Sequence, residues 1–146
     1  MASAWHKNIQ ERMITEYKEK GYPVVKKEGK IGFFKFGEKI TRKNKFKHVD
    51  ILVIKGNEII LNEIEDRIYH TKKDGDYEYG VNYVELGGIL FLSYLFAKSN
   101  SDKNIKLLLV FRNKIMFDRK DNIEKIVSEF KKNHKELTIL PIRYMV

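Results

Sequence analysis

The sequence predicts an α/β domain, a mixed β-sheet with helices on both faces. Three observations carry that expectation. Apolar residues recur at helical spacing in three segments, short apolar runs of strand length lie between them, and no repeat or low-complexity linker interrupts the alternation. At 146 residues and 42% hydrophobic content, a single domain over residues 1–146 with one core is expected.

The elements follow in order. Trp5, Ile9, Met13 and Tyr17 recur every fourth residue with Ile14 beside them, which predicts an amphipathic helix to about Lys20, stopped by Gly21. Tyr22-Pro23-Val24-Val25 predicts a short strand, with Pro23 at its start or on an edge. From Glu28 to Lys47 the chain is rich in Gly and Lys, with Phe33, Phe34 and Phe36 close together, and a hairpin or mobile loop is expected. Phe46 to Ile54 predicts a strand, Lys55-Gly56-Asn57 a turn, and Glu58 to Ile64 its antiparallel partner. The polar stretch 66–78 predicts a loop. Gly80 to Lys98 carries Val81, Val84, Ile89, Leu92, Leu95 and Phe96 at helical spacing, with Gly87-Gly88 leaving room for another backbone. Ile105 to Phe111 is an internal strand by its continuous apolar character. Asp121 to Lys135 predicts a surface helix capped by Asp121 or Asp118, and Leu137 to Tyr144 a last strand that Pro141 places at an edge.

Composition narrows the function. Cysteine is absent, which excludes disulfides and thiolate metal sites, so any metal must be held by carboxylate, carbonyl or His. The longest apolar stretch, Leu86 to Ala97, is broken by Gly, Ser and Tyr, and the N-terminus has no apolar leader; a soluble cytoplasmic protein without membrane contact is expected. The net charge of +9 is unevenly spread: residues 18–47 hold eleven basic and three acidic side chains, residues 50–90 four basic and nine acidic, and residues 91–146 twelve basic and six acidic. Basic arms flanking an acidic middle suit a polyanion partner, nucleic acid, although lysine-rich surfaces also serve solubility alone. Lys26, Lys27, Lys30, Lys35, Lys39, Arg42, Lys43, Lys45 and Lys47, with Arg67, Lys72 and Lys73 after the acidic motif, are the candidate nucleic-acid contacts. Aromatic residues interleaved with Lys30, Lys35 and Lys39 suit such a surface, while Phe33, Phe34, Phe36 and Trp5 are assigned first to packing.

The acids carry the chemistry. Glu63 and Glu65 project from one face of a strand, and His48 and Asp50 share a face of its neighbour. A lone Glu-x-Glu is more often a solvated strand face. Here it accompanies Asp50 at hairpin distance and a further acid on the first helix. Like charges held together repel unless a cation bridges them, so Mg²⁺ or Mn²⁺ among two or three of these carboxylates is the expected cofactor, and phosphodiester hydrolysis the expected reaction. His6, His70 and His134 show no readable pattern.

These residues match a known pattern. Glu11-Arg12, Gly21-Tyr22-Pro23-Val24-Val25, Val49-Asp50-Ile51-Leu52-Val53 and Glu63-Ile64-Glu65 together resemble the PD-(D/E)xK nuclease superfamily, and within it the archaeal Holliday junction resolvases. The resemblance covers about the first half of the chain. It implies a restriction-endonuclease-like core, αβββαβ with an added helix and strand, and a metal-dependent endonuclease of DNA that acts on branched substrates as a two-fold homodimer. It further implies that Asp50 and Glu63 ligate the metal with help from Glu11, for which Glu16 is the fallback. Glu65 stands where the family usually has the catalytic Lys, and Arg67 or Lys72 is the expected substitute cation.

Two other readings stay open. Lys20-Gly21-Tyr22 and Lys35-Phe36-Gly37-Glu38-Lys39 look faintly like the catalytic domain of archaeal tRNA-splicing endonucleases, whose metal-independent chemistry would recruit His48 and leave the acids without a role. A non-cleaving nucleic-acid-binding descendant, inactivated at Glu65, is the other.

Overall fold

A computed structural model describes residues 3–41, 46–66, 69–71, 77–79, 83–113 and 120–146; side chains of 69–71, 77–79 and Tyr83 are outside that description. The elements are α1 (Ala4–Glu19), β1 (Val24–Gly32), β2 (Phe46–Lys55), β3 (Glu58–Glu65), β4 (Tyr69–Thr71), β5 (Tyr77–Tyr79), α2 (Tyr83–Ser99), β6 (Asn104–Arg112), α3 (Lys120–Asn133), β7 (Thr138–Ile139) and β8 (Arg143–Met145). The main sheet runs β1-β2-β3-β6-β7, with β8 also on β6. It is mixed: β1, β2 and β3 are antiparallel, whereas β6 lies parallel to β3 and to both terminal strands. The expected α/β architecture with helices on both faces is what the chain adopts.

Helix α1 covers one face. Ile9 and Met13 pack on Ile51, Val53, Ile60, Ile64 and Val110. Ser3 caps the helix by accepting the His6 amide at 3.0 Å. At the other end Gly21, with φ 84°, lets the Tyr22 amide reach back to the Tyr17 carbonyl, which satisfies the last turn. On the opposite face α2 and α3 bury Leu86, Ile89, Leu90, Phe96, Ile123 and Val127 against Val49, Leu52, Leu61, Leu107 and Leu109. Asn100, buried after α2, accepts the Phe36 amide and donates to the Phe34 and Phe96 carbonyls, tying the segment after β1 to the end of that helix. No helix among the described residues is long and apolar enough to cross a membrane.

Several expectations need correction. The strand expected over residues 22–25 begins at Val24 and continues to Gly32, where it pairs antiparallel with the start of β2, so of the two alternatives for the stretch after Glu28 the hairpin is the one the chain adopts. Its lysines face solvent on an edge, which hid the alternation. The stretch expected as a loop over 66–78 holds β4 and the start of β5, which pair with each other. Gly80 lies outside the described residues, and α2 begins at Tyr83. A Cβ added to Gly87 or Gly88 would meet nothing within 4 Å, so no described backbone uses the space they leave. Helix α3 starts at Lys120, which puts Asp121 in the first turn rather than at the cap; Asp118 lies outside the described residues. The last strand is two short pieces interrupted at Leu140-Pro141-Ile142.

One irregularity shapes the site. In a regular strand Val49 and Ile51 would share a face, yet Val49 packs on the α2 side and Ile51 on the α1 side. Ile31 and Val25 of β1 divide in the same way. The switch falls at Glu28 and Asp50, between the pairs Lys27–Ile51 and Gly29–Val49. Glu28 has φ 66°, a left-handed backbone that costs a side-chain-bearing residue about 1–2 kcal/mol. Next to it Leu52 lies against Gly29 so closely that a Cβ there would stand 2.7 Å from Leu52 Cβ.

Candidate active site

The face switch frees Asp50 from the sheet. Pairing of β2 with β3 ends at Ile51–Asn62, while β3 continues along β6 through Glu63, Ile64 and Glu65. The Asp50 carboxylate takes over where the β2 backbone departs: Oδ2 accepts the Ile64 amide at 2.7 Å. The strands part there into a cleft of about 320 Å³, lined by Ser3, His6, Glu28, Lys47, His48, Asp50, Glu63, Ile64, Glu65, Asp66 and Glu85.

Asp50, Glu63 and Glu65, placed together by the sequence reading, do line one cleft. Asp50 Oδ1 lies 3.0 Å from His6 Nε2, and its backbone carbonyl accepts Gln10 Nε2 at 2.7 Å, so two residues of α1 hold it. Glu63 is buried, with Oε2 2.9 Å from Lys47 Nζ, and it shares a hydrogen bond with Asp50. Asp66, also in the cleft lining, pairs with Arg112 at 3.0 Å.

Burial and crowding divide the protons unequally. Burial, and then the Asp50 carboxylate beside it, push Glu63 well above the usual carboxylate range despite the opposing pull of Lys47. Burial works in the same direction on Asp50, but hydrogen bonds from His6, Glu63 and the Ile64 amide outweigh it and hold Asp50 low. The pair therefore keeps a proton on Glu63 and a charge on Asp50. Burial first and Glu85 second push Glu65 up to about 8. The hydrogen bond to Asp50 outweighs burial and raises His6; on Lys47 burial is the largest single influence and pulls downward, but the charge and hydrogen bond of Glu63, with Glu85 and Glu65, together exceed it and raise Lys47.

Among the described residues no three His, Cys, Asp or Glu side chains form a group that would hold an ion between them. The donor set at Asp50 and Glu63 is narrower but fits a hard divalent cation. Two carboxyls already share one proton there, and Mg²⁺ commonly takes one or two carboxylates and fills its remaining positions with water and phosphate oxygens.

The other candidates are placed differently. Glu11 is exposed on a separate shallow groove with Asn8, Arg12, Thr15 and Glu16, and the cleft does not include it. Glu16 forms an ion pair with Arg143 at 3.4 Å. His6, which showed no pattern in the sequence, is the α1 residue that reaches Asp50. It lies on the helix face shared by Ile9, Gln10 and Met13, one turn before Gln10, and that spacing is the signal that points to it. Lys47, expected on the nucleic-acid surface, is instead the cation against Glu63. Lys26, Lys27, Lys30, Lys35 and Lys39 are exposed, and Lys30 Nζ sits 4.9 Å from the centre of the Phe46 ring. Arg42, Lys43, Lys45, Arg67, Lys72 and Lys73 lie outside the described residues. Trp5 is partly buried under the Arg112 guanidinium, at 5.5 Å. Comparison of the chain with protein-family models, with curated proteins and with solved structures finds no match.

Proposed function

We propose that this chain is a metal-dependent nuclease that hydrolyses DNA phosphodiester bonds, built on a restriction-endonuclease-like core. The observation that carries the reading is the Asp50–Glu63 pair at the point where β2 and β3 part, with Lys47 against Glu63. The antiparallel β1-β2-β3 followed by parallel β6 supports the same core.

Asp50 and Glu63 would hold Mg²⁺ or Mn²⁺, which when bound polarises a phosphoryl oxygen and acidifies a water. The protein's own groups do the rest. His6 and the Ile64 amide fix the orientation of the Asp50 carboxylate, one on each oxygen. Lys47 sets a positive charge 2.9 Å from Glu63, supplying from β2 the cation expected at position 65. Glu65 keeps its proton at neutral pH and so adds no negative charge that would repel a phosphate. The exposed lysines of β1 draw the polyanion to the cleft mouth.

The test is cutting of branched, duplex and single-stranded DNA with Mg²⁺ or Mn²⁺, and of RNA in parallel. Metal-dependent cutting that stops with EDTA and is abolished in Asp50→Asn and Glu63→Gln, with binding retained, is expected. Cutting that survives EDTA, or either variant cutting normally, refutes the assignment; binding without cutting leaves only a nucleic-acid-binding protein.

A further inference from the structure

Beside the cleft, the antiparallel pair β1–β2 presents aromatic rings to solvent. Phe33 is 67% exposed and Phe46 41%. Phe33 follows Gly32, the residue paired with Phe46, so the two phenylalanines occupy neighbouring positions at the end of the β1–β2 pair. His48 is exposed as well, stands edge-on to Phe46 with ring centroids 5.5 Å apart, and lines the cleft that holds Asp50 and Glu63. Lys30, paired with His48 across the strands, lies over the Phe46 ring.

Packing does not account for these rings. The neighbouring Phe34 already fills the core against Phe96, and burying a phenylalanine is worth about 2 kcal/mol, which Phe33 largely forgoes. The cations around the rings select the occupant. An apolar protein surface would have to desolvate Lys30, whereas a nucleotide matches both features at once: its base stacks on a ring and its phosphate meets the ammonium. A duplex keeps its bases stacked on one another and offers no free π-face, so it would use the lysines and leave the rings in water.

We infer that Phe46, Phe33 and His48 form a stacking shelf for an unpaired nucleotide beside the cleft, and that the site acts on single-stranded or locally unpaired nucleic acid. The inference rests on the nuclease reading for what happens in the cleft; the stacking itself does not need it.

The experiment is therefore binding without metal. Fluorescence anisotropy in EDTA compares a mixed-sequence single strand of roughly 15 nucleotides with a blunt duplex of equal length, at matched salt. Wild-type protein binds the single strand tighter. Phe46→Ala and Phe33→Ala each weaken the single strand about ten-fold and the duplex by less than about two-fold, from the usual worth of one stacked base. Lys30→Ala weakens both ligands alike. Phe46→Leu keeps apolar bulk without the π-face and matches Phe46→Ala, while its circular dichroism melt stays that of wild type. Wild type preferring the duplex or binding neither ligand, equal losses on both ligands, or Phe46→Leu binding like wild type overturns the inference. If the shelf behaves as stated but no metal-dependent cutting occurs, the nuclease reading fails and the shelf stands.

Discussion

Replacing Glu65 by Gln removes a carboxyl that the fold holds in its acid form. In the folded chain Glu65 gives up its proton at about pH 8, and in the unfolded chain near its ordinary 4.5. Between those values the folded state binds the extra proton, so this group's contribution is fully present below pH 4.5, declines as pH rises, and is gone above about 8. At 1.36 kcal/mol per pH unit the span corresponds to at most about 4.8 kcal/mol. Glu65 is only partly buried, and solvent screening brings the expected effect to about 1–2 kcal/mol. Urea unfolding of wild type and Glu65→Gln at pH 5, 7 and 9 in EDTA measures it. The variant should gain about 1–2 kcal/mol on wild type between pH 5 and 9, while retaining the part of the decline that Glu63 causes in the same direction. Parallel stability curves for the two proteins would refute the assignment of a raised Glu65.

Two further substitutions probe the surroundings of the pair. Lys47→Met leaves the buried Glu63–Asp50 pair without its cation and costs about 1–3 kcal/mol, a loss that grows with rising pH as Glu63 is driven towards its charged form; thermal melts across a pH series check this, and a loss independent of pH contradicts it. Gly29→Ala drives a methyl to 2.7 Å from Leu52 Cβ and Cδ1 and should cost about 1–3 kcal/mol in urea unfolding, whereas an unchanged midpoint would mean that Leu52 moves aside freely.

Much of this site is legible in the sequence where a single period holds. Helix α1, the β2–β3 hairpin and the meeting of Asp50 with Glu63 follow from apolar spacing and from the Gly56-Asn57 turn, where Gly56 has φ 61°. The extension of β1 is not, because an edge strand with its lysines in water has no alternation to read, and the switch at Glu28 breaks what period there is. Glu11 sits two residues after Ile9 and two before Met13, about 200° around the helix from each, so the buried face alone argues against its reaching the sheet. His6 and Gln10 are on the correct face, but recognising their role requires knowing where α1 docks. Lys47 is concealed for another reason: among eleven basic residues over 18–47, nothing local separates one that folds inward from those that do not.

The exchange of faces at Asp50 makes β2 a jointed rod. The length before the joint is held by the core under α2 through Val49, the length after it by both cores, Ile51 and Val53 under α1 and Leu52 under α2, and Glu63 rides on the neighbouring strand. Because close-packed interiors transmit volume changes, a substitution at Val49 or Ile51, the residues on either side of Asp50, is expected to be felt in the gap between the two acids without touching them. Aliphatic packing far from solvent thereby bears on the width of the cleft, a route by which drift in the interior would shift the spacing of Asp50 and Glu63 while every polar residue stays in place.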